Sequence, residues 1–572
     1  MRTFHVIGPI GLVTTSLLAG ALVVGSATSP AQGHVSPGLT RNILMAPASG
    51  GISLDRLAVA VRSGGGSVVA IYPVARSVVA DIAKSWKAPL GVIEVPDRAL
   101  HVTGSAGTAS SDVTSTMRDT VGGAAADGGA GITVAVVDTG IASVPDLNGR
   151  ISRLSVLPGP QGDGFGHGTF MAGLIAGSGA SSAGRFGGIA PAAKLLDVRV
   201  ASASGDTSLS LVLAGLQAVS DRRSADPSLR VLNLSLSEDS SVPPAFDPLS
   251  RALETLWAHG ITVVVAAGNS GPVAGSVTAP GNDPVVLTVG ALDESGSSSR
   301  SDDSVAAFSS WGDPFGISSK PDLVAPGVSL VSLRDPSSYV DANFPSARVG
   351  SSYFLGSGTS MSAAVTSGAV AVLLSKRPSL SPDAVKAVLT GSAYDVHARG
   401  HADGAGGLDL AAALTSSVRG GTGSGDDRMY AAPMGSSADA WAAFATAWSS
   451  GDWRKTQNAW AALPDDVRRW ASQAWALSLV VNGSSDSVIT QARAWSARSW
   501  SGRSWSSTDW LARAWSARSW STDDWAARSW SARSWSARSW SDSDWSALTW
   551  SARSWSATTW SNDAWSVVGW GG

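Results

Sequence analysis

Five short runs between Gly131 and Leu414, "ITVAVVD", "KLLDVRV", "LRVLNLSL", "ITVVVAAG" and "VVLTVGAL", are rich in large apolar residues. Helical stretches such as "LSLVLAGLQAVSD" and "PLSRALETLWAHG" alternate with them. A strand that is apolar throughout needs cover on both faces, and strands connected through helices run parallel. The region therefore reads as α/β, with a mainly parallel sheet between two helical layers. Ligand sites of such sheets lie beyond the carboxyl ends of the strands, which directs attention to the polar residues there.

The run "ITVAVVD" ends on Asp138, "DGFGHGTFMAGLIAG" places His167 at the start of a helix, and "ITVVVAAGNSG" ends on Asn269. A fourth polar group comes from "SGTSMSAAVT", residues 357–366, which runs into an Ala-rich apolar helix stopped by Pro378. Ser360 then stands at the positive end of a helix dipole, where developing negative charge is stabilised. A serine hydroxyl becomes a useful nucleophile when a base removes its proton, and imidazole has a suitable pKa near neutrality. A carboxylate must orient that imidazole, and an amide donor must meet the oxyanion. Asp138, His167, Asn269 and Ser360 match these four roles.

The motifs "VAVVDTG", "GHGTFMAG", "AAGNSG", "SSWG", "KPDLVAPG" and "GTSMSAAV" together resemble the catalytic domain of subtilisin-like serine peptidases over residues 131–416. The resemblance implies a three-layer subtilisin-like fold and a secreted serine endopeptidase working through an acyl-enzyme. It also implies Asp138, His167 and Ser360 as the catalytic triad, with Asn269 in the oxyanion hole. By the same resemblance Leu234, Ser235, Leu236 and Ser237 pair with extended substrate, and Ala266, Ala267 and Gly268 line the primary specificity pocket. No cofactor is required for that chemistry. A structural Ca²⁺ is allowed, although the sequence names no ligand set for it. Two departures bear on specificity: Ser237 stands where the family usually has Gly, and Phe170 and Met171 follow "GHGT" where a second His and a smaller apolar residue are usual.

Residues 32–102 resemble the family's inhibitory propeptide, with "GGSVVAIYP" and "GVIEVPDRALH" in the expected places. Their pattern reads as ferredoxin-like β-α-β-β-α-β: "ILMA", the helix "LDRLAVAVR", the strands "SVVAIYP" and "RSVVADI", a second helix over "AKSWKA", then "GVIEV". The edge of such a unit could fill the cleft by strand addition. Residues 103–130, poor in large apolar groups, read as an exposed connection, with self-cleavage between His101 and about Ala130.

The first 31 residues combine Arg2, an apolar run from about Val6 to Val24, and Ser29, Pro30 and Ala31, the pattern of a secretory signal peptide. An uncleaved membrane anchor is the alternative. With no cysteine in the chain, stability must come from a large core rather than disulfides, with bound cations allowed as a supplement. A formal net charge of -3 offers no basic surface for nucleic acid.

After a linker at 417–436, residues 437–490 read as Trp/Ala-rich helix. From Trp495 to Trp570 a Trp recurs at every fifth position, taking 16 of the chain's 25. Period five rotates by about 140° per step on a helix and alternates faces on a strand, so it suits neither element. The remaining readings are a self-packed stalk, contact of the indoles with cell wall or glycan, and disorder. The expected partners are thus protein or peptide substrates, the chain's own propeptide and wall or glycan, at an extracellular or cell-surface location. The rival to the enzyme is a catalytically inactive cell-surface binding or adhesion protein that keeps the peptidase fold.

Overall fold

The computed structural model describes residues 35–417 except 47–51, 90–91, 103, 110–114, 124–127, 160, 238–243, 245–246 and 313–318, together with residues 458 and 462. The expected signal peptide, the Trp/Ala-rich segment, the Trp repeat and all but the first residue of the 417–436 linker lie outside the described residues, 458 and 462 apart.

The leading unit contains β1 (Leu39–Met45), α1 (Leu54–Ser63), β2 (Ser67–Tyr72), β3 (Ser77–Ala83) and β4 (Ile93–Pro96). Helix α1 starts where the Ser53 side chain accepts the Arg56 N–H and stops at Gly64. The antiparallel sheet has the ferredoxin-like order β2-β3-β1-β4, as expected. The second helix expected over "AKSWKA" does not form. Ala83 is still in β3, a turn follows, and Pro89 disfavours the helical conformation in the residue before it.

Alternating side chains send this sheet's two faces in different directions. Leu44, Val78, Ala80 and Ile82 pack with Leu57 and Val61 of α1, while Ile43, Tyr72, Val79 and Val95 join the core of the larger domain. The leading unit is therefore docked by its second face.

The next segment corrects the reading of 103–130 as an exposed connection. It continues from β5 (Ala99–Val102) into β6 (Ser105–Ala106) and α2 (Met117–Thr120), and Met117 and Val121 are buried. Low apolar content was a poor guide because the two strands are held by main-chain pairing, which needs no large side chains. Thr120 Oγ1 also donates to Glu294 at 2.5 Å. Burial raises the Glu294 carboxyl from an ordinary 4.5 to about 7, the threonine hydroxyls opposing that rise. The folded state therefore holds a proton between those values. The contribution of this group to stability is fully present below about pH 4.5 and is lost as pH rises to about 7, a loss on the order of 3 kcal/mol. Glu294→Gln should match wild type in melting temperature at pH 5 and exceed it at pH 8. A pH-independent difference would contradict this assignment.

The larger domain continues through β7 (Thr133–Asp138), β8 (Ile151–Ser155), α3 (His167–Ala176), β9 (Lys194–Arg199), β10 (Asp206–Ser208), α4 (Leu209–Ala225), β11 (Leu229–Leu234) and β12 (Leu236–Ser237). After α5 (Pro248–Ala258) come β13 (Thr262–Ala266), β14 (Leu287–Asp293), β15 (Ser304–Val305), β16 (Leu323–Pro326) and β17 (Leu330–Leu333). The last elements are α6 (Tyr339–Asn343), β18 (Arg348–Val349), β19 (Tyr353–Ser357), α7 (Thr359–Lys376), α8 (Pro382–Gly391) and α9 (Leu410–Thr415).

The main sheet has the order β15-β14-β13-β11-β7-β9-β8, with β16 beside β14, and is parallel apart from β15. Every residue of β7 and β13 is buried, so both faces are covered. The cover comes from α3 packed on α7 and from α4 packed on α5. The chain runs from β7 to β8 and β9 on one side, then to β11, β13 and β14 on the other. This reversal puts the switch point of the sheet beside β7. Among the described residues no helix is long and apolar enough to cross a membrane.

Candidate active site

Parallel pairing aligns the carboxyl ends of β7, β11 and β13, with Leu234 opposite both Val137 and Val265. Asp138 closes β7, Leu234 closes β11 and Ala266 closes β13. These neighbouring strand ends bring the expected residues to one edge.

Asp138 is fully buried, and its Oδ1 and Oδ2 lie 2.8 and 2.9 Å from His167 Nδ1. Its Oδ1 also accepts the Thr139 N–H at 2.8 Å. His167 is the first residue of α3, where Gly168 is needed because a Cβ there would sit 2.2 Å from the Gly140 carbonyl oxygen. A carboxylate on Nδ1 fixes the tautomer that leaves Nε2 able to accept a proton, and it stabilises the imidazolium that results.

Asp163 supports the segments that carry this pair, although sequence reasoning did not single it out. Its buried carboxylate accepts the Gly166 and Thr169 N–H groups and the Thr139 hydroxyl, each at 2.7 Å. Thr139 Oγ1 in turn accepts the Gly168 N–H at 2.9 Å. Asp163 thus ties the start of α3, whose first residue is His167, to the residue after Asp138. Burial pushes its carboxyl above the ordinary range, against the opposing hydrogen bonds. The available signal was an acidic residue a few positions before a Gly-flanked helix start.

Ser360 is the second residue of α7 and is buried. Its Oγ lies 3.5 Å from the Ser235 carbonyl oxygen, and Ser235 Oγ donates to the Ser360 carbonyl at 3.3 Å. Asn269 Oδ1 accepts both the Thr359 N–H and the Thr359 hydroxyl at 2.9 Å. The donor end of this amide is consequently turned elsewhere, with Nδ2 3.4 Å from where a Cβ on Gly358 would stand. Gly268 donates its N–H to Thr359 Oγ1 at 3.2 Å, and Ala266 and Ala267 are buried beside it. His167 and Met361, the residue after Ser360, line one cavity.

A peptide segment already runs through this site, and it is the chain's own. In β5, Val102 pairs with Leu236 and His101 with Ser237, antiparallel, while β10 pairs on the other side. In β6, Ser105 pairs with Ser357 and Ala106 with Gly356. Between the two strands Gly104 approaches so closely that a Cβ on Gly358 would be 3.2 Å from its Cα. Leu236 and Ser237 thus pair with an extended segment of the chain itself, and the Ser237 side chain leaves room for it. The contact is made by the tail after the leading sheet rather than by a strand at that sheet's edge. Phe170, besides packing, lines the same cavity as His167, whereas Met171 is fully buried.

The leading unit is locked above this segment by charge and capping. Asp97 accepts the Ser210 N–H at 2.9 Å and the Ser210 hydroxyl at 2.6 Å at the start of α4. Arg98 bonds Asp247, the N-cap of α5, at 2.7 Å. Both contacts use helix termini that carry orphan N–H groups.

Among the described residues no group of three or more His, Asp or Glu side chains is placed to hold a metal ion.

A doubly wound parallel sheet with a buried Asp–His pair at its carboxyl edge and a serine at the start of a helix has the layout of the subtilisin-like fold. The chain belongs to the subtilase family, whose family model matches residues 129–425. Serine protease AprX of Bacillus subtilis (strain 168) is 43% identical over 268 residues, 46% of this chain and 61% of AprX. Subtilisin Savinase of Lederbergia lenta is 37% identical over 255 residues, 44% of this chain and 80% of Savinase. The chain thus spans about three fifths of the length of AprX and four fifths of Savinase. Among solved structures it is similar to fervidolysin from Fervidobacterium pennivorans, a keratinolytic enzyme related to subtilisin, with TM-score 0.51 and 25% identity over 66% of this chain and 61% of that one.

Proposed function

We propose that this protein is a secreted serine endopeptidase that hydrolyses peptide bonds through an acyl-enzyme. Its leading unit acts as the inhibitory propeptide, a role supported by the pairing of the segment that follows it with the catalytic domain. His167 takes the Ser360 proton as Ser360 Oγ attacks the scissile carbonyl, and Asp138 stabilises the imidazolium. The Ser360 N–H and the Asn269 amide receive the oxyanion. His167 then protonates the leaving amine, and water repeats the sequence on the acyl-enzyme to free Ser360. Leu234 to Ser237 bind substrate main chain, and Ala266 to Gly268 bound the pocket for the residue before the scissile bond.

The observation that carries this reading is the path of residues 99–106, paired with Leu236 and Ser237 on one side and with Gly356 and Ser357 on the other. That is how an extended substrate would cross the serine. A fluorophosphonate probe should label the wild-type protein and leave Ser360→Ala unlabelled. Absence of label in the processed wild type would contradict the assignment.

Because the segment passes from pairing with Leu236 to pairing with Ser357, the first self-cleavage falls between Val102 and Gly104. Ser360→Ala should therefore accumulate a precursor that retains the leading unit, whereas the processed wild type should begin at residue 103 or 104 by N-terminal sequencing. Normal processing of purified Ser360→Ala without added protease would refute self-cleavage. For secretion the support is the Arg2-led apolar run of the N-terminus. For the Trp repeat, the support for attachment to wall polymer or glycan is its regular indole spacing beyond a Gly-rich linker.

A further inference from the structure

We infer that the segment from Arg334 to Val349 builds a pocket on the leaving-group side of the cleft that selects a large apolar side chain in the register of Gly104, with Tyr339 and Phe344 as specificity-determining residues. The inference rests on the peptidase reading above.

A cavity of about 450 Å³ opens beside His167, between the start of α3, the end of β17, α6 and β19. Phe165, Phe170, Phe354, Met361, Tyr339 and Phe344 supply its apolar wall. The charged groups around it are engaged with one another. Arg334 and Arg348 both bond the buried Asp341 carboxylate, Arg348 at 2.8 and 2.9 Å, and Asp335 accepts from the Ser337 N–H and hydroxyl. An incoming polar side chain would lose water and find few partners, whereas an apolar one would lose nothing.

The wall is tied to the loop that carries the histidine. Tyr339 stacks on Phe165 with centroids 5.5 Å apart and planes 8° from parallel. The Tyr339 and Val340 N–H groups donate to the carbonyls of Gly164 and Phe165 at 2.9 and 3.0 Å. Tyr339 and Phe344 nevertheless remain 49% and 45% exposed, so they have apolar area left to bury.

The register of the occupant follows from the chain's own segment. Gly104, Ser105 and Ala106 line the cavity, and a Cβ on Gly104 would point at the Met361 methyl from 3.3 Å, near the flexible end of that side chain. A larger residue in this register would enter the cavity and cover Tyr339 and Phe344, and area so covered stabilises the complex by roughly 25 cal/mol per Å². The small residues of the self segment forgo that contact, which favours departure of the new N-terminus once the chain is cut.

The test uses internally quenched peptides that differ at this single register (Gly, Ala, Leu, Phe or Asp), hydrolysed by enzyme matured from the full chain. The ratio of kcat/KM for Leu or Phe over Gly should be about 10- to 100-fold in wild type, with Asp no better than Gly. The ratio should fall to within a few-fold in Tyr339→Ala or Phe344→Ala. A wild-type ratio near one, or a ratio unchanged in both variants, would overturn the proposal. A peptide p-nitroanilide, which has no residue in this register, reports the peptidase reading separately in wild type. Its hydrolysis alongside a flat peptide series rejects the pocket alone, and failure of every substrate rejects both.

Discussion

Ser360→Ala is expected to lower kcat by about a million-fold, and His167→Ala to do nearly the same, with the double variant adding little. That magnitude is the one known for subtilisin, carried over through family membership. The physical reason for non-additivity is that neither group acts alone. An imidazole held on Asp138 at 2.8 and 2.9 Å has no proton to take when the hydroxyl is gone, and a hydroxyl without its base stays a weak nucleophile. What remains is substrate binding and the oxyanion donors, which still exceed water alone. Peptide turnover measured with melting temperature separates lost chemistry from lost fold. Additive losses in the double variant would show that the two residues do not form a unit.

The second large effect is expected at Asn269, where alanine should reduce kcat by about a hundred- to a thousand-fold with little change in KM, the cost of one oxyanion donor. Alanine also removes the acceptor that Thr359 N–H and Oγ1 use at the start of α7, so part of its effect could be structural. Asn269→Asp separates the two contributions. It keeps the acceptor oxygen toward Thr359 but replaces the amide donor with a second anionic oxygen, which repels a developing oxyanion. The aspartate variant should therefore be at least as impaired as the alanine variant while keeping the wild-type melting temperature more closely. Wild-type kcat in Asn269→Asp would remove Asn269 from the oxyanion site.

Much of the catalytic region was legible because its signals are local. Uninterrupted apolar runs mark strands covered on both faces, and the residues that end them, Asp138 and Asn269, stand where such sheets bind ligands. Pro378 limits α7, and the helix start at His167 is visible in its Gly-flanked motif. The second helix of the leading unit was misread for the same reason: a short polar-apolar pattern suggested it, while Pro89 and the continuing strand at Ala83 decided otherwise.

By itself the sequence determined the class of fold, the family and the identities of the polar groups at the strand ends, because propensity, periodicity and motif spacing are properties of neighbouring residues. The tertiary structure decided what those residues meet. Only it places His101 opposite Ser237 and Ser105 opposite Ser357, turning an apparent linker into an occupant of the cleft. Only it gives Asp163 its three donors and closes an aromatic wall around the Gly104 register. Main-chain pairing and cavity shape depend on segments far apart in the chain, and small residues such as Gly104, Ser105 and Ala106 leave no local trace of the partners they acquire on folding.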